Sequence, residues 1–134
     1  MIHLDTSFLV DLLREVHRAT VGPARRKAAE LATEELGVSI FVLCELEAGA
    51  RAATSPARER ARLAAVVAPL ARILPTESMA ELYGSILAGL RRQGAAIGTM
   101  DLLIAATAIA EGAPLVTRNR RHFARIPGLE LIDY

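Results

Sequence analysis

The sequence predicts an α/β fold in which helices cover a mostly parallel central sheet. Short apolar or β-branched runs alternate with longer segments of helical periodicity, the order typical of a parallel sheet. Apolar residues make up 52% of the chain and aromatic residues only 4%, which favours a helix-rich core. No repeat, linker or low-complexity segment interrupts the 134 residues, so residues 1–134 are expected to form one domain.

The first strand and helix are predicted within residues 1–16, MIHLDTSFLVDLLREV. The apolar start at 1–4 predicts a buried strand, and Asp5 follows its last residue directly. Thr6 or Ser7 is expected to cap the helix that comes next. Its apolar positions have the spacing of one helix face: Phe8, Leu9, Leu12, Leu13 and Val16.

The second strand is predicted from the β-branched and aromatic run Val38–Val42. A helix over Pro23–Leu36, ended by Gly37, is expected to precede it. The strand is expected to pass directly into a helix that carries Glu45 in its first turn. Because Val42, rather than a Ser or Thr, stands three residues before Glu45, this helix is expected to lack a cap, at a cost of about 1 kcal/mol.

The remaining elements are marked by caps, prolines and glycines. The segment before Gly112 is apolar nearly all round, which predicts a central helix packed on several sides. The predicted elements are a helix over Pro56–Val67, a strand over Arg72–Leu74, a helix between Thr76 and Gly94, a helix between Gly98 and Gly112, and strands over Pro114–Thr117 and Leu129–Ile132.

Composition limits the classes of protein that this chain can represent. The formal charge of +1 at pH 7 favours no partner by itself. A single cysteine, Cys44, excludes a disulfide framework and a cysteine-based metal site, and its apolar surroundings predict that it is buried. No signal peptide is evident, and the apolar run 102–110 is too short to span a bilayer. We therefore expect a soluble cytoplasmic protein with no membrane partner.

Four polar side chains are predicted at equivalent places in the sheet. Asp5 ends the first strand, Glu45 and Asp101 lie in the first turns of helices, and Asn119 follows the strand before it by two residues. The carboxyl ends of parallel strands meet at one edge, so these side chains are expected to converge. An acidic residue in the first turn of a helix also stabilises that helix. For each acid taken singly, this purely structural role remains an alternative to a functional one.

Clustered carboxylates remain ionised together only when a cation lies between them. Oxygen ligands suit Mg²⁺ or Mn²⁺, so Asp5, Glu45 and Asp101 are predicted to bind one of these ions, with Asn119 beside them. Such a site activates water for hydrolysis of a phosphodiester.

Hydroxyl and basic side chains surround the predicted metal site. Three hydroxyl residues are expected to act as caps or to orient Asp5 or a metal-bound water: Thr6, Ser7 and Thr117. Three arginines form a candidate RNA-facing patch: Arg118, Arg120 and Arg121. His122 is interpreted as a surface or packing residue rather than a general base, because it lacks metal-ligand spacing.

Five blocks in order, LDTSFLVDLL, CELEAG, GTMDLLIAATAIAEG, PLVTRNRRHF and IPGLELIDY, together resemble a PIN domain of the VapC type, the toxins of bacterial toxin–antitoxin pairs. The resemblance implies a PIN-like three-layer α/β/α sandwich and a Mg²⁺- or Mn²⁺-dependent endoribonuclease. The family's acidic positions map onto Asp5, Glu45 and Asp101, and its fourth position onto Asn119. The resemblance also implies a homodimer that is neutralised by a cognate antitoxin, whose C-terminal segment covers the active-site groove.

Two alternatives follow from departures in the motif. Asn119 is neutral, so the chain is alternatively a catalytically weak or silent module that acts through partner binding. Phosphotransfer through an aspartyl phosphate at Asp5 is disfavoured, because that chemistry usually needs a second Asp where Ser7 stands.

Overall fold

A computed structural model describes all 134 residues, with five strands and seven helices. In chain order these are β1 (Ile2–Leu4), α1 (Thr6–His17), α2 (Pro23–Glu30), β2 (Leu36–Ser39), α3 (Ile40–Arg51), α4 (Pro56–Val67), β3 (Ala71–Ile73), α5 (Glu77–Arg92), α6 (Thr99–Ala110), β4 (Leu115–Val116), α7 (Arg120–Phe123) and β5 (Leu131–Ile132).

The five strands form one sheet in the order β3-β2-β1-β4-β5, and every neighbouring pair is parallel. The predicted α/β fold with a parallel sheet is therefore confirmed. Within the central strand β1, His3 pairs with Gly37 on one side and with Leu115 on the other. The strand order reverses between β1 and β4, and the crevice of a parallel sheet opens at such a point. Asp5 and Thr117 directly follow these two strands.

Both faces of the sheet are covered. Successive strand residues point to opposite faces, and the consecutive residues His3 and Leu4 of β1, like Leu115 and Val116 of β4, are all buried. The most buried helix is α6, six of whose residues are buried, in agreement with the prediction that it is central. A single hydrophobic cluster unites the strands with α1, α3, α4, α5 and α6.

The second strand and the helix after it differ from the prediction. The helix α2 ends at Glu30, Gly37 lies inside β2, and the segment Ile40–Val42 is helical rather than extended. The reason is Ser39, whose side chain accepts a 3.3 Å hydrogen bond from the backbone N–H of Val42 and so caps α3. The expectation that this helix lacks a cap was wrong, and Glu45 lies in its second turn.

Other local signals are confirmed. Thr76 caps α5 by accepting a hydrogen bond from the backbone N–H of Met79, and the chain leaves α5 and α6 through Gly94 and Gly112, both at positive φ. Cys44 is exposed, against the prediction that it is buried. None of the helices combines the length and apolar character needed to cross a membrane.

Candidate active site

The side chain of Asp5 lies at the carboxyl end of β1 and is only 2% exposed. Its Oδ2 accepts three hydrogen bonds: from the backbone N–H of Ser7 (3.4 Å), from Ser7 Oγ (2.7 Å) and from Thr117 Oγ1 (2.7 Å). The first of these makes Asp5 itself the N-cap of α1, which corrects the expectation that Thr6 or Ser7 is the cap. No Lys, Arg or His lies within ion-pair distance, and Oδ1 accepts no hydrogen bond.

The hydroxyls of Ser7 and Thr117 join β1 to the segment after β4. Their oxygens lie 3.3 Å apart, and Ser7 Oγ also accepts a hydrogen bond from the backbone N–H of Arg118 (3.1 Å). Thr117 is fully buried, and its Oγ1 accepts a 2.9 Å hydrogen bond from the backbone N–H of Asn119. The loop that carries Asn119 is therefore held against Asp5 through two hydroxyls.

Glu45 is brought to the same end of the sheet by Thr6. The hydroxyl of Thr6 donates a 2.7 Å hydrogen bond to Glu45 Oε1, and Thr6 directly follows Asp5. One oxygen of Glu45 is thereby fixed, while Oε2 makes no hydrogen bond or ion pair.

Asp101 lies in the first turn of α6, with its side chain 26% exposed. Its Oδ2 is 3.3 Å from Nδ1 of His122, a residue 59% exposed on α7. The sequence placed His122 at the surface but did not indicate this contact.

The predicted residues are joined only in part by direct contacts. Asp5 is bonded to Ser7 and Thr117, and Glu45 to Thr6, whereas neither Asp101 nor the exposed side chain of Asn119 is hydrogen-bonded to this group. No three His, Cys, Asp or Glu side chains lie close enough together to form a metal-binding cluster.

The donor set nevertheless fits a hard divalent cation. Mg²⁺ usually retains several waters and binds proteins through one or two carboxylates, with substrate phosphates supplying further oxygens. Asp5 offers a buried carboxylate with an unbonded oxygen and no cationic partner, and such a charge is costly to bury alone. The free oxygens of Asp5 and Glu45 therefore suit Mg²⁺ or Mn²⁺ better than zinc, which favours His and Cys.

The arginines after β4 are mostly neutralised. Arg118 forms a 2.5 Å ion pair with Asp11, and Arg120 pairs with Asp133. Asp11 also accepts a 2.9 Å hydrogen bond from the phenol of Tyr134. Burial, and then the hydrogen bond to Asp11, raise the pKa of Tyr134 above its ordinary value. Asp11 also pairs with Arg14, and only 13% of its side chain is exposed.

A groove of about 320 Å³ opens beside Glu45 between α1, α3 and α4. Apolar side chains line it together with Arg14, His17, Glu45 and Glu59. Arg14 is compensated by Asp11, and Glu59 by Arg62. Its lining includes Val10, Leu13, Leu46, Gly49, Ala50 and Leu63. An amphipathic protein segment would match this surface.

Comparison with known proteins yields a consistent set of matches. The model of the PIN domain family matches residues 2–129. Ribonuclease VapC19 of Mycobacterium tuberculosis is 37% identical over 129 residues, which is 95% of either chain. The tRNA(fMet)-specific endonuclease VapC of Salmonella typhimurium is 34% identical over 110 residues, which is 81% of this chain and 83% of that protein.

Solved structures share the whole fold. VapBC2 from Rickettsia felis, crystallised with a DNA fragment from its promoter, matches with a TM-score of 0.91 and 31% identity, over 100% of this chain and 99% of that one. DNA-bound VapBC from Salmonella typhimurium matches with a TM-score of 0.88 and 30% identity, over 99% of this chain and 98% of that one.

Proposed function

This chain belongs to the PIN domain family, and from that premise we propose that it is an endoribonuclease toxin of the VapC type, dependent on Mg²⁺ or Mn²⁺ and neutralised by a VapB-type antitoxin. The observation that carries the metal dependence is the environment of Asp5. Its carboxylate is buried without a cation, one oxygen is saturated by three donors, and the other is left unbonded.

Each residue of the site has a distinct role in this proposal. Asp5, Glu45 and Asp101 would hold the metal ion, directly or through waters that the ion retains, and the ion would supply activation of water and stabilisation of negative charge on the scissile phosphate. Ser7 and Thr117 fix the orientation of the Asp5 carboxylate by bonding to Oδ2, and Thr6 fixes that of Glu45. The amide of Asn119 lies on the loop that these hydroxyls hold, where it orients the phosphate or the attacking water.

The antitoxin is proposed to occupy the groove between α1, α3 and α4. The groove is part apolar, its Arg14 and Glu59 are paired with opposite charges, and it reaches Glu45, so a chain lying in it would cover the site. The toxin is also proposed to act in the cytoplasm, where its RNA substrate is made.

A homodimer is a further part of the proposal. The helix α5 buries Met79, Ile86 and Leu90, while Leu82 and Leu87 beside them are only half-buried and would be covered by a second copy. Light scattering is expected to give about twice the 14.4 kDa mass of the chain.

The proposed activity is tested with RNA of mixed sequence and structure, incubated with the purified protein in Mn²⁺, Mg²⁺ or a chelator. We expect cleavage in either metal and none in the chelator. Asp5→Asn, which keeps an oxygen to cap α1, and Asp101→Asn should each lower the rate at least about a hundredfold. Asp133→Asn, on an exposed acid paired with Arg120, is the matched control and should cleave like the wild type.

The second candidate is a silent binding module, favoured by the neutral Asn119 and by the lack of a three-carboxylate cluster. Calorimetric titration with Mn²⁺ separates the two. Binding that Asp5→Asn abolishes supports the enzyme, whereas no Mn²⁺ binding together with tight antitoxin binding supports the module.

A further inference from the structure

Two neighbouring pockets lie by the start of α6 and the C-terminal end of α5. The first, of about 440 Å³, is lined by Ala96, Ile97, Gly98, Asp101, His122 and Arg125. The second, of about 230 Å³, shares Arg125 and also contains Ser85, Gly89, Arg92, Gln93 and Pro127. Arg125 lines both pockets, and we call the two together the basic groove.

The positive charges of the basic groove have no carboxylate partners. Arg125 donates a 2.7 Å hydrogen bond through Nη1 to the backbone carbonyl of Ala96, which fixes the guanidinium and leaves its other N–H groups free. Arg92 makes no hydrogen bond or ion pair, and its Nη2 lies 3.7 Å from where a Cβ would stand on Gly89. The only acid in the lining is Asp101, which belongs to the proposed site of cleavage.

The arginines after β4 are compensated except for Arg121, which is exposed and makes no hydrogen bond or ion pair. Arg118 and Arg120, two of the three arginines that the sequence suggested for RNA binding, are engaged by Asp11 and Asp133. The basic groove therefore presents uncompensated positive charge beside Asp101.

We propose that the basic groove binds the phosphate backbone of a single-stranded segment of the RNA substrate, with Arg125 and Arg92 contacting successive phosphates. The inference rests on the proposed function in one respect, that Asp101 marks the place of cleavage. A guanidinium binds phosphate oxygens in a fork geometry without reading the base. No phenylalanine, tyrosine or tryptophan side chain lines the groove, so it offers no such ring for a base to stack on. Its binding of RNA is therefore electrostatic and does not depend on the nucleotide sequence.

The test measures RNA binding separately from cleavage. A fluorescent single-stranded oligouridine is titrated with protein in a chelator, and anisotropy is followed over a range of salt concentrations. The variants are Arg92→Ala, Arg125→Ala, their combination and Arg125→Lys. The controls are Arg58→Ala, which like Arg92 is exposed with no hydrogen bond, and Arg26→Ala, which like Arg125 donates Nη1 to a backbone carbonyl (3.2 Å).

Each single alanine variant is expected to weaken binding about fivefold to tenfold at low salt and to lower the slope of log K against log salt by about 0.7, the value for one lost contact to single-stranded nucleic acid. In the double variant the slope should fall by about twice that amount. In Arg125→Lys the slope should change little, because lysine keeps the positive charge. Neither control should change the slope. Circular dichroism and thermal unfolding check that every variant is folded.

Unchanged affinity and slope in the double variant would overturn the proposal, as would equal losses in the controls or no binding of RNA by the wild type. If the double variant binds RNA as tightly as the wild type but binds the antitoxin more weakly, the groove is a site for the protein partner and the proposal is overturned. Cleavage in Mn²⁺ is scored independently. Salt-dependent binding through the groove without cleavage refutes only the proposed nuclease, whereas cleavage without any effect of the double variant on binding refutes only the groove.

Discussion

The hydroxyl of Thr6 donates a 2.7 Å hydrogen bond to Oε1 of Glu45, although 39 positions separate the two residues. Thr6 is the first residue of α1 and directly follows Asp5, while Glu45 lies in the second turn of α3. This bond therefore ties the Glu45 carboxylate to the residue that follows Asp5 in the sequence.

Replacing Thr6 by Val should lower the cleavage rate about tenfold, because a hydrogen bond to a charged group contributes about 1.5–3 kcal/mol and the isosteric valine leaves Glu45 free to turn. The apparent affinity for Mn²⁺ should fall in parallel. Thr6→Ser, which keeps the hydroxyl, should retain most of both. Thr20→Val, on an exposed threonine, is the control, and wild-type behaviour of Thr6→Val would contradict the role given to this bond.

A bulky side chain at Gly49 should block the antitoxin without affecting cleavage. A Cβ at Gly49 would have nothing within 4 Å, and the residue lines the groove beside Glu45. Gly49→Trp should therefore fold, cleave RNA in the absence of antitoxin and resist neutralisation by the cognate antitoxin at least about tenfold. Gly84→Trp is the control, since Gly84 on α5 has equally open surroundings and lies outside the groove. Equal neutralisation of both variants would place the antitoxin elsewhere.

His3 should make the folded protein less stable as the pH falls from about 7 to 5. The side chain is 2% exposed, Nε2 has no hydrogen-bond partner, and burial lowers its pKa below the ordinary 6.5, although Glu111 opposes the shift. The unfolded chain therefore binds the proton first, and stability is lost by at most about 1.4 kcal/mol per pH unit over this range.

Urea unfolding of the wild type and of His3→Leu at several pH values measures this contribution. The variant should lose less stability on acidification, whereas His17→Leu, on an exposed histidine, should follow the wild type. Parallel curves for the wild type and His3→Leu would show that His3 contributes nothing.

Tyr134→Phe should destabilise the protein by about 1–2 kcal/mol. The phenylalanine keeps the edge-to-face contact with Phe8, whose ring centroid lies 4.9 Å away, but loses the hydrogen bond to Asp11. Because the pKa of Tyr134 is raised in the folded state, the unfolded chain ionises first and the stability of the wild type should fall above pH about 10.

Chemical unfolding at neutral and alkaline pH tests both statements. Tyr134→Phe should remove the alkaline loss, while Tyr83→Phe, which changes the other tyrosine of the chain, should retain it. An alkaline loss that persists in Tyr134→Phe would refute the assignment.

Local signals were sufficient for much of the fold. Thr76 marks the start of α5 and Gly94 follows its end, and the alternation of strands and helices predicted the parallel sheet. These signals can be read from the sequence because caps, positive φ and periodicity depend on residues close together in the chain. The start of α3 was missed because the residues Ile40–Val42 favour a strand, while the cap from Ser39 starts a helix there. A single side-chain hydrogen bond outweighed the local preference of three residues.

The places of the candidate side chains in the fold were predictable from the sequence, but their contacts were not. The alternation of elements placed Asp5 and Glu45 after strands, whereas nothing in the sequence indicates that His122 meets Asp101 or that Tyr134 meets Asp11. The second pair is 123 positions apart, and such contacts depend on how the whole chain packs.

The bond from Thr117 to Asp5 spans 112 positions, nearly the length of the chain. During synthesis, Asp5 leaves the ribosome long before Thr117, so a nascent polypeptide cannot assemble this centre until its last strands arrive. A translation product that stops before Thr117 lacks one of the two hydroxyls that bond to Asp5, and its carboxylate is held by Ser7 alone.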